Sequence, residues 1–111
     1  MDVSYILESL NEKQREAVTS ESPHLLVLAG AGSGKTRVLV HRVAWIVDGF
    51  RSNPGTIMTV TFTNKAANEM QSRIQELLKS PVPELWCGTF HGLAHRTLKR
   101  FYKEANLISG F

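Results

Sequence analysis

The sequence predicts an α/β fold, a parallel sheet flanked by helices, and three segments carry that reading. Leu25–Ala29 is a continuous apolar run that ends in glycines and passes into a helical pattern; Thr56–Thr63, rich in β-branched residues, leads into another; Leu85–Phe90 leads into a third. Strands that alternate with helices pair in parallel through right-handed crossovers, which gives a layered architecture. At 111 residues the chain can hold one modest core, so it is one domain at most.

The elements follow in order. Asn11 and Gln14 stand at capping-box spacing, and Leu10, Ala17 and Val18 at helical spacing, so a short first helix is expected. After the turn-like Ser20-Glu21-Ser22-Pro23, the run Leu25–Ala29 suits a strand covered on both faces. From Lys35 an apolar stripe of Val38, Leu39, Val43, Ile46 and Val47 marks a helix, stopped by Asp48-Gly49 and Asn53-Pro54-Gly55. The second strand precedes an amphipathic helix with Ala66, Ala67, Met70, Ile74, Leu77 and Leu78 on its buried face. Pro81 and Pro83 punctuate the chain before the third strand. The last helix is expected to turn Leu93, Ala94, Leu98, Phe101 and Tyr102 inward and His95, Arg96, Lys99, Arg100 and Lys103 outward.

Composition narrows the function. The 13 Lys plus Arg against 10 Asp plus Glu leave a net charge of +3, a mild basic excess that permits a polyanionic partner. A single Cys rules out an intrachain disulfide or a cysteine zinc cluster and fits a reducing cytoplasm. No apolar run approaches the ~20 residues of a membrane span. The N-terminus, with Asp2 and Glu8, has no basic segment ahead of an apolar one, so neither secretion nor membrane insertion is expected.

The strongest chemical signal is Ala29-Gly30-Ala31-Gly32-Ser33-Gly34-Lys35-Thr36, between an expected strand and an expected helix. It reads as a phosphate-binding loop. Glycines let successive N–H groups face inward, the helix start adds partial positive charge, Lys35 can reach the β and γ phosphates, and Thr36 can ligate Mg²⁺. Ala29 departs from the usual motif, which has glycine there. A dinucleotide fingerprint fails, because Gly30 and Gly32 would require a glycine where Lys35 stands.

Gln14 either returns a hydrogen bond to the Asn11 cap or offers its amide to a purine edge. Arg37 is either a solvated first-turn residue or a guanidinium plane that stacks on a base. At the carboxyl end of the second strand, Thr61-Phe62-Thr63-Asn64-Lys65 groups an aromatic, hydroxyls, an amide and a lysine, and Gly88-Thr89-Phe90-His91-Gly92 does the same after the third. Singly, Phe62 reads as core and Thr63 or Asn64 as a helix cap. Together they form a polar and aromatic edge suited to single-stranded nucleic acid. His91 and His95 have the spacing of a zinc helix, but Gly92 stands where that motif needs Glu, and no third ligand is apparent. The basic outer face of the last helix is either solvated or tracks phosphates, and Cys87 reads as a small buried hydrophobe.

Leu10-Asn11-Glu12-Lys13-Gln14-Arg15-Glu16-Ala17, the glycine loop, Thr61–Ala67 and Gly88–Leu93 resemble, in order and spacing, the Q motif and motifs I, Ia and Ib of superfamily 1 DNA helicases of the UvrD/PcrA/Rep group. The resemblance covers nearly the whole chain. It implies a P-loop NTPase fold with a partial RecA-like sheet, residues 1–89 belonging to the first motor domain and 90–111 ending motif Ib and opening an inserted DNA-binding subdomain.

It also implies that Gln14 and Arg37 contact the adenine nucleotide, that Ala29, Gly30, Ala31, Gly32, Ser33, Gly34, Lys35 and Thr36 hold ATP phosphates and Mg²⁺, and that Phe62, Thr63, Asn64, Lys65, Thr89, Phe90 and His91 line a single-strand path. The implied activity is ATP-driven 3′-to-5′ translocation on single-stranded DNA and at duplex junctions, with repair proteins as partners. Nowhere after Thr36 does an apolar strand end in Asp-Glu, so these residues are expected to form an N-terminal piece that cradles ATP without hydrolysing it. The competing readings are a small P-loop kinase or generic NTPase, and a non-catalytic nucleotide or nucleic-acid-binding module.

Overall fold

In the computed structural model, which describes residues 3–28, 34–108 and 110, helices and strands alternate from Lys35 onward. The elements are α1 (Ser4–Leu7), α2 (Glu12–Thr19), α3 (Lys35–Ala44), β1 (Met58–Thr61), α4 (Asn64–Leu78), β2 (Trp86–Thr89) and α5 (Phe90–Arg100). A π-helical turn, Trp45–Gly49, extends α3, and a 3₁₀ turn, Pro54–Thr56, leads into β1. The two strands pair in parallel, with Met58 opposite Trp86 and Thr61 opposite Thr89. The α/β class and the parallel pairing therefore agree with the sequence reading. No helix among the described residues is long and apolar enough to cross a membrane.

The first expected strand is not one. Leu25–Leu28 carries no regular structure, and Leu26 and Leu28 are 82% and 87% exposed. A continuous apolar strand is stable only with neighbours on its edges and cover on both faces. The sheet of the described residues is β1 and β2 alone, and neither pairs with this run. Ala29, the last residue of the expected strand, lies outside the described residues.

α3 is the hub. On one side Val38 and Ala44 pack with Ile6, Leu10 and Val18 from α1, the connector and α2. On another, Val40 and Val43 pack with Met70 and Ile74 of α4 and with Val82 and Leu85 ahead of β2. A helix packed on two sides buries a wider arc than a single stripe, which is why Val40 and His41 are buried and Leu39, expected inside, is 52% exposed. On α5 only Leu93 is buried, whereas Ala94, Leu98 and Phe101 are exposed. The helix packs chiefly on β2 and β1, and none of its residues after Leu93 is buried.

Polar contacts tie α1 to α3 and its π-helical extension. The Tyr5 hydroxyl donates to the Asp48 carboxylate in the π-helical turn. Burial, reinforced by that carboxylate, pushes the phenol up to about 12. Nδ1 of His41 lies 2.6 Å from the Ile6 carbonyl. Burial holds the His41 pKa below its ordinary value, Arg37 and Arg73 act in the same direction, and the Ile6 bond opposes them. A neutral imidazole that donates Nδ1–H to Ile6 satisfies all of these.

The unfolded chain protonates His41 near 6.5 while the folded chain does not, so this contribution is intact above about 6.5 and is lost as pH falls from there toward the lower folded value. Urea denaturation at pH 7.5 and 5.5 should show a lower midpoint in acid, and His41→Leu should remove that part of the difference; an unchanged difference in the variant would contradict it.

Candidate functional site

Gly34 is the N-cap of α3, and its φ of +83° is one that a side chain would strain. A Cβ there would also stand 3.0 Å from Nε2 of Gln14. Gly34 has no side chain with which to cap the helix, whereas Asn11, Thr63 and Thr89 cap α2, α4 and α5. The first-turn N–H groups of α3 have no acceptor within the helix, and its partial positive end is beside the exposed Lys35 and Thr36. That arrangement fits an oxyanion ligand. Ala29, Gly30, Ala31, Gly32 and Ser33 of the glycine loop lie outside the described residues.

Gln14 fills the capping role, one of the two that the sequence left open. Its Oε1 accepts from Asn11 N at 3.0 Å while Asn11 Oδ1 accepts from Gln14 N at 2.9 Å, a complete capping box. Its Nε2 is turned toward Gly34 at the start of α3. Gln14 and Lys35 line one cleft of about 720 Å³, walled by Val27, Val38 and Leu39. The exposure of Leu39 is thus exposure to this cleft. Nη2 of Arg37 donates to the Ser9 carbonyl at 3.0 Å, a tie to the connector that neither sequence reading of Arg37 included.

The second edge forms where the parallel strands end. With Thr61 opposite Thr89, the next residues, Phe62 and Phe90, lie side by side, ring centroids 5.8 Å apart and planes inclined by 45°. Phe62 is 90% exposed and Phe90 60%, so Phe62 is not a core residue. Thr63 Oγ1 accepts from Ala66 N at 3.1 Å and Thr89 Oγ1 from Gly92 N at 3.0 Å, which caps α4 and α5. A Cβ at Gly92 would lie 3.1 Å from Thr89 Oγ1, so the glycine lets this cap close. Asn64, Lys65 and His91 are exposed in the first turns of the same helices. Two aromatic faces therefore stand between two helix N-termini, the combination of stacking surface and partial positive charge that a nucleic-acid strand needs.

Sequence reasoning missed how the basic face of α5 is held. The Arg96 guanidinium lies 4.3 Å from the Trp86 ring centroid and that of Arg100 5.8 Å. The signal was two arginines four apart after a strand tryptophan, a cation–π geometry. Cys87 is half-buried against the main core, with Sγ 3.4 Å from the Ala67 carbonyl.

The profile of the UvrD/REP helicase N-terminal domain matches residues 10–111. The whole chain aligns with DNA helicase II of Escherichia coli (strain K12) at 60% identity and covers 15% of that protein. It aligns over its full length with DNA helicase II of Haemophilus influenzae at 50% identity, covering 16%, and with ATP-dependent DNA helicase PcrA of Leuconostoc citreum at 46%, covering 15%. The chain thus spans about 15% of the length of these curated relatives.

The caps carry a measurable load. Thr63→Ala and Thr89→Ala each remove a side-chain acceptor from a helix start and should each cost about 1 kcal/mol in urea denaturation; a cost near zero at either position would mean that its cap is dispensable.

Proposed function

Because the chain belongs to the UvrD/REP helicase N-terminal domain family, we propose that it is the ATP-cradling and DNA-contacting start of a 3′-to-5′ DNA helicase motor. Residues 1–89 form part of the first, RecA-like motor domain with its P-loop, and residues 90–111 open the inserted DNA-binding subdomain. The observation that carries this reading is the exposed Phe62–Phe90 pair at the carboxyl edge of β1 and β2. A kinase or a generic NTPase has use for Lys35 and Thr36 but none for a bare aromatic platform between two helix starts.

In this reading Lys35 and the first-turn N–H groups of α3 bind the ATP phosphates, and Gln14 meets adenine with the amide nitrogen that its capping bond leaves facing α3. Arg37 offers the face of its guanidinium to the base while its edge holds Ser9. Thr36 is the Mg²⁺ ligand of this segment, and the ion supplies charge neutralisation at the phosphates. Phe62 and Phe90 stack on bases, and Thr63, Asn64, Lys65, Thr89 and His91 hold the adjacent backbone. Hydrolysis falls to other parts of the motor. Asp48 is engaged by Tyr5, and Glu69 and Glu76 sit on α4, so residues 1–111 bind ATP without turning it over. The substrates are single-stranded DNA and duplex junctions, the setting is DNA repair and replication in the cytoplasm, and repair proteins are the partners.

Lys35→Ala in the intact helicase tests the phosphate cradle. Loss of a cation that follows the γ phosphate should lower single-strand-stimulated ATP turnover by about a hundredfold or more. Lys35 is exposed, so the melting temperature should not change. Near-normal turnover in this variant would overturn the assignment.

A further inference from the structure

We infer that Arg42 is a positioning residue for the adenine contact: it fixes α2, and with it Gln14, against α3. The inference rests on the reading of Gln14 as the adenine-facing group. Nη1 of Arg42 donates to three carbonyls at the end of α2, those of Ala17, Val18 and Ser20, at 2.8, 3.1 and 3.1 Å. Those are carbonyls that a helix end leaves unsatisfied. α2 supplies nothing of its own there, with no basic residue in its last turn and an extended Ser20 in place of a left-handed glycine cap. A cation from a neighbouring helix fills that need and opposes the negative end of the dipole.

The position of these bonds gives them their consequence. Arg37, in the first turn of α3, holds Ser9 just before α2, and Arg42, near the end of α3, holds the end of α2. The two helices therefore lie side by side with their N-termini at the same end, joined by two guanidinium rungs. Gln14 and Gly34 meet at that end, close enough that one added carbon would be tight. α2 has eight residues, about 12 Å of helix, and tilts as one body. Release of its far end changes the angle at which Gln14 Nε2 is presented and leaves Lys35 and the α3 start untouched. Arg42 should therefore affect recognition of the base and not of the phosphates.

The test uses the intact helicase, with KM and kcat for ATP and the Kd of Mg²⁺-tripolyphosphate, a ligand without a base. Arg42→Met is expected to raise KM for ATP about tenfold, the equivalent of one lost hydrogen bond, with kcat and tripolyphosphate affinity within about threefold of wild type. Arg42→Lys, which keeps the charge but not the planar guanidinium, should recover part of the KM; it also carries the test at smaller amplitude should Arg42→Met fail to fold. Gln14→Ala combined with Arg42→Met should be no worse than Gln14→Ala alone. Equal weakening of ATP and tripolyphosphate, an unchanged KM, or a double variant worse than Gln14→Ala would overturn the inference. If Gln14→Ala itself leaves KM unchanged, the adenine reading fails first and the inference falls with it; if Gln14→Ala raises KM and Arg42→Met does not, only the inference falls.

Discussion

The register between β1 and β2 decides what the carboxyl edge can do. Parallel strands direct both chains out of the sheet at the same end, and Thr61 opposite Thr89 brings Phe62 level with Phe90. Each strand passes at once into a helix capped by threonine, so two positive helix ends and two exposed rings share one edge. A slip of one residue would reverse which faces the strand residues present and would separate the rings. The core beneath enforces the register: α4 lays Met70 and Ile74 against α3 and against Leu85, the residue just before β2.

α3 joins this edge to the cleft lined by Gln14 and Lys35. It buries one arc against α4, which abuts the sheet, and another against α1 and α2, which carry Gln14. Its polar residues are no less structural than its apolar ones. Arg37 and Arg42 bind carbonyls of the segment before α3, and His41 binds Ile6. The helix whose first turn is proposed to bind phosphate is therefore also the helix on which the flanking elements are hung.

Much of this was legible in the sequence because it is local. The Asn11–Gln14 capping box, the Thr63 cap and the amphipathic face of α4 all follow from residues a few positions apart. What was not legible depends on distant partners. Leu25–Leu28 has the composition of a buried strand, but burial is conferred by neighbours, and the two-strand sheet provides none. Leu39 and Val40 exchange roles because α3 is packed on two sides, which periodicity along a single helix does not reveal. Arg42 reaches carbonyls more than twenty positions earlier in the chain, and Arg96 finds Trp86 only after α5 folds back on β2. The short α1 lies ahead of the first capping signal and forms around Ile6, which is fully buried.

The Phe62–Phe90 edge is the proposed contact with DNA. It is tested most directly by the affinity of the intact helicase for a single-stranded oligonucleotide after Phe62→Ala and after Phe90→Ala. Base–aromatic stacking contributes about 1–3 kcal/mol per base, so each variant should bind about tenfold or more weakly, with an unchanged melting temperature because both rings are largely exposed. Affinities within twofold of wild type for both variants would contradict the account.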